Sequence, residues 1–374
     1  MQTEYKLYFN NEPATSEQLS KIEDIIVNQA VGESTVALIT IPICLDEKGN
    51  WIGEDEPFMI SNSRIRLELR HGSATYVPLI DGMVAKVKNS KDAEPGRSQI
   101  TLEVLDDCSL LGKSDSIQGF ENMRYDEVAR RLYSQFQNVI ISMEIETTDD
   151  SIDSTKKEIM QRGTAMEQLN KMASQTGFYA YLRPHETKGK NIGYFKTFPK
   201  KAGNLPALYL SPPNRNLQNF EVLEDNARNA VVQASALQVD NKKIVTKRSS
   251  YSDQDHMGDD DSAFQNSFDT NIKLPYPGSG SGMNPEGFTK GEMEEESRFI
   301  EAKGSTRGDC YNGILQTFEV VPVHLGNTGQ SGDYEIHQVT HTITRSAYLQ
   351  SFTMKRNAKS ERKKETTGKT EKIF

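Results

Sequence analysis

The chain has 374 residues, with 26% charged, 35% in the hydrophobic set and a formal net charge of −9. That length fits two or three domains with several cores, and the composition is that of a globular chain with long polar loops, not a fully disordered one. There is no run of about 18 apolar residues to cross a membrane, and Met1-Gln2-Thr3-Glu4-Tyr5 lacks the basic and apolar regions of a secretory signal.

The first 105 residues read as β. Tyr5, Leu7 and Phe9 alternate with polar neighbours, and residues 34–41 form a β-branched, apolar run. Ile65, Leu67 and Leu69 alternate with Arg64, Arg66, Glu68 and Arg70, and Ile100, Leu102 and Val104 with Thr101 and Glu103. A period of two puts one set on a core face and the other in solvent. Asp81-Gly82, between apolar residues, predicts a hairpin turn, because glycine tolerates positive φ. Short antiparallel strands at this spacing suggest a small barrel or sandwich.

The period then changes. Tyr125, Val128, Ala129, Leu132, Tyr133 and Phe136 make one apolar helical stripe, with Asn122 as its N-cap and Asp126 and Glu127 near the positive end of the dipole. Thr164 and Glu167 have capping-box spacing for a second helix that buries Leu169, Met172 and Ala173, with Gly177 at C′. Strands over 178–182 and 192–198 complete an α+β module. Pro206, Pro212 and Pro213 mark a boundary.

Residues 217–239 return to strand patterning. From 240 to about 296 the chain is polar and rich in Gly, Ser, Asp and Pro, and 275–287 is the clearest loop. A stretch of this length signals an insertion or binding segment. Strands are expected at 314–321, 333–344 and 348–354. Residues 355–374 hold eight Lys/Arg and three Glu, about +5, so the remainder is about −14. This basic tail is expected to be disordered or ordered only by a partner. An acidic body argues against broad nucleic-acid binding, which needs clustered cations.

The expected architecture is α+β and mainly β: a first barrel-like unit at 1–110, an α+β domain at 111–206, and a second barrel-like unit at 207–354 with a polar insertion at about 240–296. The tail follows at 355–374.

Candidate chemistry is sparse. Cys44, Cys108 and Cys310 form no CxxC pair and no disulfide framework, and read as reduced thiols. His337 and His341 lie four apart in a strand-like segment, so they sit on one face about 13 Å apart, too far to share a metal ion. His71, His185, His256 and His324 have no ligand spacing either. Asp253, Asp255, Asp259, Asp260 and Asp261 around His256 could hold calcium, but the spacing does not match an EF-hand, and a solvated acidic loop fits better. Asp106, Asp107 and Cys108 end a strand; paired carboxylates can do acid/base work, yet no nucleophile or base of known spacing accompanies them, and a turn is expected. Residues 278–282, Gly-Ser-Gly-Ser-Gly, lack the preceding strand and following helix of a phosphate cradle. No catalytic, cofactor-binding or metal residue is assigned.

Four stretches carry a resemblance to a known family. They are Ser63-Arg64-Ile65-Arg66-Leu67-Glu68-Leu69 with Leu79-Ile80-Asp81-Gly82-Met83-Val84; Ile100-Thr101-Leu102-Glu103-Val104-Leu105-Asp106-Asp107; Gly163-Thr164-Ala165-Met166-Glu167-Gln168-Leu169-Asn170-Lys171-Met172-Ala173 up to Gly177; and Gly332-Asp333-Tyr334-Glu335-Ile336-His337-Gln338-Val339-Thr340-His341 with the stretch from Tyr348 to Arg356. In order and spacing they resemble the phage late-control gene D protein family, which shares its fold with the N-terminal hub of VgrG proteins and with the baseplate hub of contractile-tailed phages. The segment at 240–296, the basic tail and the lack of a following needle region depart from that pattern.

The resemblance implies a non-enzymatic structural hub of a phage-tail-like contractile injection system. It would be a homotrimer whose paired barrels make a six-fold-like ring, joining a hexameric inner tube protein to a trimeric spike protein among other baseplate components. No cofactor, nucleic acid or direct membrane insertion is implied. The chain would be made in the bacterial cytoplasm and become part of an assembled particle, with the spike a separate protein. The alternatives are a distal-tail or carbohydrate-binding β-rich module and, as an enzyme, a peptidoglycan hydrolase with a Glu/Asp pair in a cleft.

Overall fold

The computed structural model describes residues 3–54, 57–72, 75–148, 158–238, 243–259, 272–274, 285–308 and 310–361. The fold is α+β and mainly β. The first strands are β1 (Thr3–Phe9), β2 (Glu12–Pro13), β3 (Asp24–Ala30), β4 (Val36–Pro42), a small hairpin of β5 (Cys44–Leu45) and β6 (Trp51–Ile52), then β7 (Arg64–His71), β8 (Val77–Ser90) and β9 (Gln99–Asp106), with the short helix α1 (Ser16–Ser20) after β2. Period-two alternation points Leu7, Ile25, Ile39, Leu67 and Leu102 into one core. Those residues come from five strands, so the sheet curls around its own apolar face.

Asp81-Gly82 is not a turn. Both residues lie inside β8, and Asp81 is fully buried. A Cβ on Gly82 would stand 2.0 Å from the Leu105 carbonyl oxygen of β9. Glycine is needed here because two backbones approach closely, not because the chain reverses.

The middle module follows: α2 (Cys108–Leu111), β10 (Asp115–Glu121), α3 (Tyr125–Ser134), β11 (Ile140–Ile145), β12 (Glu158–Thr164), α4 (Ala165–Ser174), β13 (Tyr179–Pro184) and β14 (Asn191–Lys196). α3 buries Tyr125, Val128, Ala129, Leu132 and Tyr133, while Phe136 packs against the same core. Its N-cap is Arg124, whose N–H donates to the Glu127 carboxylate at 2.8 Å. Asn122 instead takes a left-handed φ of 52° between β10 and the helix, a conformation its short polar side chain tolerates. α4 has the expected capping box: Glu167 N–H donates to Thr164 Oγ1 at 3.2 Å, and Thr164 N–H to Glu167 Oε2 at 2.9 Å. Gly177 is left-handed, two residues past the Gln175 cap.

The last part contains β15 (Leu208–Tyr209), β16 (Leu217–Glu224), β17 (Val231–Gln238), β18 (Lys243–Ser250), β19 (Ile272–Lys273), α5 (Pro285–Ser297), β20 (Ile300–Thr306), β21 (Val320–His324), β22 (Gly332–Thr344) and β23 (Tyr348–Arg356). The segment at 240–296 is therefore structured where it is described: β18 pairs with β17, and α5 begins within the expected loop. Asp260, Asp261 and the Gly-Ser run at 278–282 lie outside the described residues. The expected strand at 314–321 starts only at Val320. Before it, Ile314 joins the first core and Leu315 the second, so the chain is a wedge between cores rather than a strand.

The basic tail is ordered further than expected. Lys355 and Arg356 end β23; Asn357 and Ala358 are buried, and Arg356 is fully buried. Tyr251 Oη donates to the Asn357 carbonyl at 2.6 Å, Asn357 Nδ2 to the Asp255 carbonyl at 2.9 Å, and Arg356 Nη1 to the Ser331 carbonyl at 2.9 Å. Residues 362–374 lie outside the described residues.

The largest sheet has 13 strands. Its main path runs β16-β20-β23-β22-β3-β4-β9-β8-β7-β1-β2, with β21 on β22 and β15 on β21. The two β regions are thus one sheet, joined where β22 pairs antiparallel with β3, Thr340 opposite Asn28 and Ile343 opposite Ile25.

Candidate functional site at the joints

The surfaces where these parts meet carry the most specific chemistry. At the sheet joint, β22 is 13 residues long and serves both regions: its first half pairs with β21, its second half with β3, and β23 runs along the whole. Across this joint, residues in register make a row of neutral polar side chains, Asn219, Ser305, Ser351, Thr340 and Asn28. Ser305 Oγ donates to Asn219 Oδ1 at 2.6 Å, and Thr340 Oγ1 to Asn28 Oδ1 at 2.8 Å. The wedge is pinned by Gln350, which accepts from Leu315 N–H at 2.7 Å and donates to the Gly313 carbonyl at 2.9 Å.

The first ionic knot ties β7, β8 and the end of β9 to the middle module. Arg64 Nε reaches Asp81 Oδ1 at 2.6 Å and its Nη2 reaches Asp107 Oδ2 at 2.6 Å; Arg66 Nη1 reaches Asp81 Oδ2 at 3.0 Å and Arg66 Nε reaches Glu68 at 2.7 Å. The module closes the knot with neutral groups. Gly189 N–H donates to Asp81 at 2.8 Å, Asn191 Nδ2 to Asp107 at 2.6 Å, and the His185 carbonyl accepts from Arg66 at 2.7 Å. Burial pushes the Asp107 carboxyl up even though Arg64 and Asn191 pull it back.

The second knot is built on α5. Arg298, just past the helix, reaches Glu335 of β22 at 2.5 Å, Glu294 at 3.0 Å and Glu295 at 2.9 Å. Glu295 also holds Lys355 of β23 at 3.0 Å, and Lys200 of the middle module pairs with Glu294. Burial works to raise the Glu335 carboxyl, but Arg298, His337 and Lys200 together outweigh it and bring it down to about 2. Further carboxylates tie α5 to other strands, Glu286 to Lys247 and Glu296 to Lys273. Where α5 crosses the chain after α4, Gly291 meets Gly177: a Cβ on Gly291 would stand 2.4 Å from Gly177 N.

The residues singled out earlier fall into these joints. His341 is buried, with Nδ1 2.9 Å from Tyr348 Oη, and burial pulls it down to about 3. His337 stacks on Phe198, ring centroids 5.0 Å apart, with Nε2 3.1 Å from Glu335. A register shift between Ile336 and Gln338 interrupts the alternation, so the two histidines face different surroundings. No group of three His, Cys, Asp or Glu suited to a metal ion occurs among the described residues. Asp106 and Asp107 are more than a turn. Asp106 accepts from the N–H groups of Thr35 and Cys108, and burial pushes it up to about 6. Asp253 caps Ser250, and His256 stacks on Tyr251, so these belong to local packing rather than to one acidic cluster.

Sequence reading missed Arg64, Arg66, Asp81, Arg298 and Glu335. The charged face of β7 was expected in solvent, yet only 2% of the Arg66 side chain is exposed, because the middle module covers it. The available signal was an Asp directly before a glycine that needs close backbone approach.

No family model and no curated protein matches the chain. Solved structures do. The tail protein from Neisseria meningitidis MC58 superimposes with a TM-score of 0.64 at 11% identity, over 95% of this chain and 96% of that one. The 43 kDa tail protein of prophage MuSo2 from Shewanella oneidensis gives 0.65 at 14% identity, over 95% and 99%. A chain of the half-lidded Francisella PdpA–VgrG complex gives 0.57 at 13%, over 97% of this chain and 60% of that one. The chain shares the fold of these tail and VgrG-complex proteins.

Proposed function

We propose that this chain is a structural hub of a phage-tail-like contractile injection particle, a homotrimer that adapts a hexameric tube to a trimeric spike. The reading keeps the units 1–110 and 207–354 as two ring-forming halves and 111–206 as the strut that fixes their angle. One observation carries it: a single sheet spans both β regions and has an open edge at each side. β16 pairs only with β20 among the described residues. β7 reaches β8 only as far as Met83, so residues 85–90 of β8 pair only with β9. The first edge carries Glu221 and Glu224; the second carries Lys86 and Lys88. Edges of opposite charge favour a heterologous contact, in which β16 of one copy lies beside β8 of the next, and such contacts close into rings. A mechanical role also suits the buried carboxylates, because Asp81, Asp107 and Glu335 are each held by an arginine and Asp106 by backbone N–H groups. No helix among the described residues is long and apolar enough to cross a membrane.

Size-exclusion chromatography with light scattering tests this. A trimer is expected. Lys88→Glu or Glu221→Lys alone should weaken it, by up to about 1 kcal/mol per contact, and the two together should restore it. A chain that stays monomeric at every concentration, or charge reversals without effect on a trimer, would sink the edge-to-edge reading.

A further inference from the structure

Two open clefts meet beside the second knot, one of about 380 Å³ and one of about 320 Å³, and Tyr179 and Glu295 line both, so they form one groove. The floor of the smaller is apolar and shallow-walled: Ala173, Phe178, Ala180 and the glycine crossing of Gly177 with Gly291. Its rim is acidic. Glu292 and Glu295 of α5 hold Lys273 and Lys355 respectively, but their side chains are still 27% and 46% exposed, so both remain partly open to solvent. Glu33 stands exposed at the mouth of the larger cleft. A groove with an apolar floor and a carboxylate rim fits a peptide that carries lysines beside bulky apolar side chains.

The chain contains such a peptide beyond the described residues. It reads Lys369-Thr370-Glu371-Lys372-Ile373-Phe374. We propose that this groove takes the Lys369-to-Phe374 segment of the same chain, with Ile373 and Phe374 against Ala173 and Phe178 and the two lysines at the glutamate rim.

Reach and anchoring both support this occupant. Lys355 lines the groove, and Glu361 lies six residues further on, so the two are separated by at most about 22 Å. The thirteen residues after Glu361 span up to about 43 Å when extended. The segment also starts from a fixed point, because Ser360 N–H donates to the Gly329 carbonyl at 2.6 Å and Arg356 Nη2 to the Ser360 carbonyl at 2.7 Å. A short tether from a fixed point sets an effective concentration in the millimolar range, enough for a weak peptide contact to be occupied.

Limited trypsin digestion of the full chain, read by mass spectrometry, tests the proposal. Cleavage after Lys369 and Lys372 should be at least tenfold slower in the wild type than in Ser174→Trp, which fills the groove from the exposed face of α4, and than in the Ile373→Ala/Phe374→Ala double variant. Amide exchange at residues 173–180 should rise in the double variant, which leaves the folded body unaltered. Equal cleavage rates in all three chains would overturn the assignment. So would protection that appears only at concentrations where copies associate, since the segment would then lie on a neighbour.

Discussion

At the first joint the charges sit on one sheet. Arg64 and Arg66 of β7 face Asp81 of β8 and Asp107 after β9, and the middle module contributes only a carbonyl, an N–H and an amide. At the second joint the charges come from separate places: Glu294 and Glu295 on α5, Arg298 behind it, Glu335 on β22, Lys355 on β23 and Lys200 on the middle module. The first knot is thus largely complete within its sheet, and the module docks onto a finished surface. The second forms only when four parts have arrived, so its members stand or fall together.

The largest effect should come from breaking the second knot at its centre. Arg298→Leu leaves Glu335 buried with only His337 and a more distant Lys200, and should cost about 3–5 kcal/mol in urea unfolding. Arg298→Leu with Glu335→Leu should recover most of that. Arg64→Leu should cost less, about 2 kcal/mol, because Asp81 keeps Arg66 and Asp107 keeps Asn191. Equal losses at the two arginines would erase the difference between the joints.

Acid separates the sheet joint from the second knot. His341 is neutral when folded, with its value brought down to about 3 from 6.5, so the unfolded chain takes up the proton first. Its contribution is complete above pH 6.5 and is lost progressively as pH falls toward 3. Asp106, raised to about 6, acts in the opposite sense: it favours the folded state as pH falls from 6 toward 3.8. Glu335 and Glu295, both brought down to about 2, lose their contribution only as pH falls from 4.5 toward 2. The stability difference between wild type and His341→Gln should therefore shrink by about 2 kcal/mol between pH 7.5 and 4.5, measured by urea unfolding at each pH. A pH-independent difference would remove His341 from the account.

The smallest effect should be at the glycine crossing. Gly291→Ala pushes α5 away from Gly177, and should cost about 1–2 kcal/mol by overpacking. Thermal unfolding reads the loss, and exchange of α5 amides should rise ahead of those in α4. Uniform exchange across both helices would show that the crossing does not hold α5 on its own.

Local signals were legible and long-range ones were not. The Thr164/Glu167 cap and the stripe from Tyr125 to Tyr133 depend on neighbours within a turn or two, and they appear as read. Strand alternation in β7 and β9 was legible for the same reason. α5 was not, because it buries few apolar side chains, Phe288 and Met293, and is otherwise held by its glutamates. A hydrophobic pattern cannot report a helix held by ion pairs. Asp81-Gly82 misled because a glycine chosen for strand approach and one chosen for a turn look alike in sequence. Arg66 looked solvated because what covers it lies more than a hundred residues away.

The pairing of β3 with β22 has a consequence for how the protein is made. Residues 24–30 leave the ribosome early, but their hydrogen-bonding partner, residues 338–344, emerges only when almost the whole chain has been synthesised. Until then Ile25 and Val27 sit on a strand with one unfilled side, a template for wrong partners. Closing a contact over some three hundred residues is also intrinsically slow. Biogenesis should therefore depend on holding the nascent amino-terminal sheet apart from its neighbours, and chaperone demand should be set by this one strand pair more than by the size of the protein.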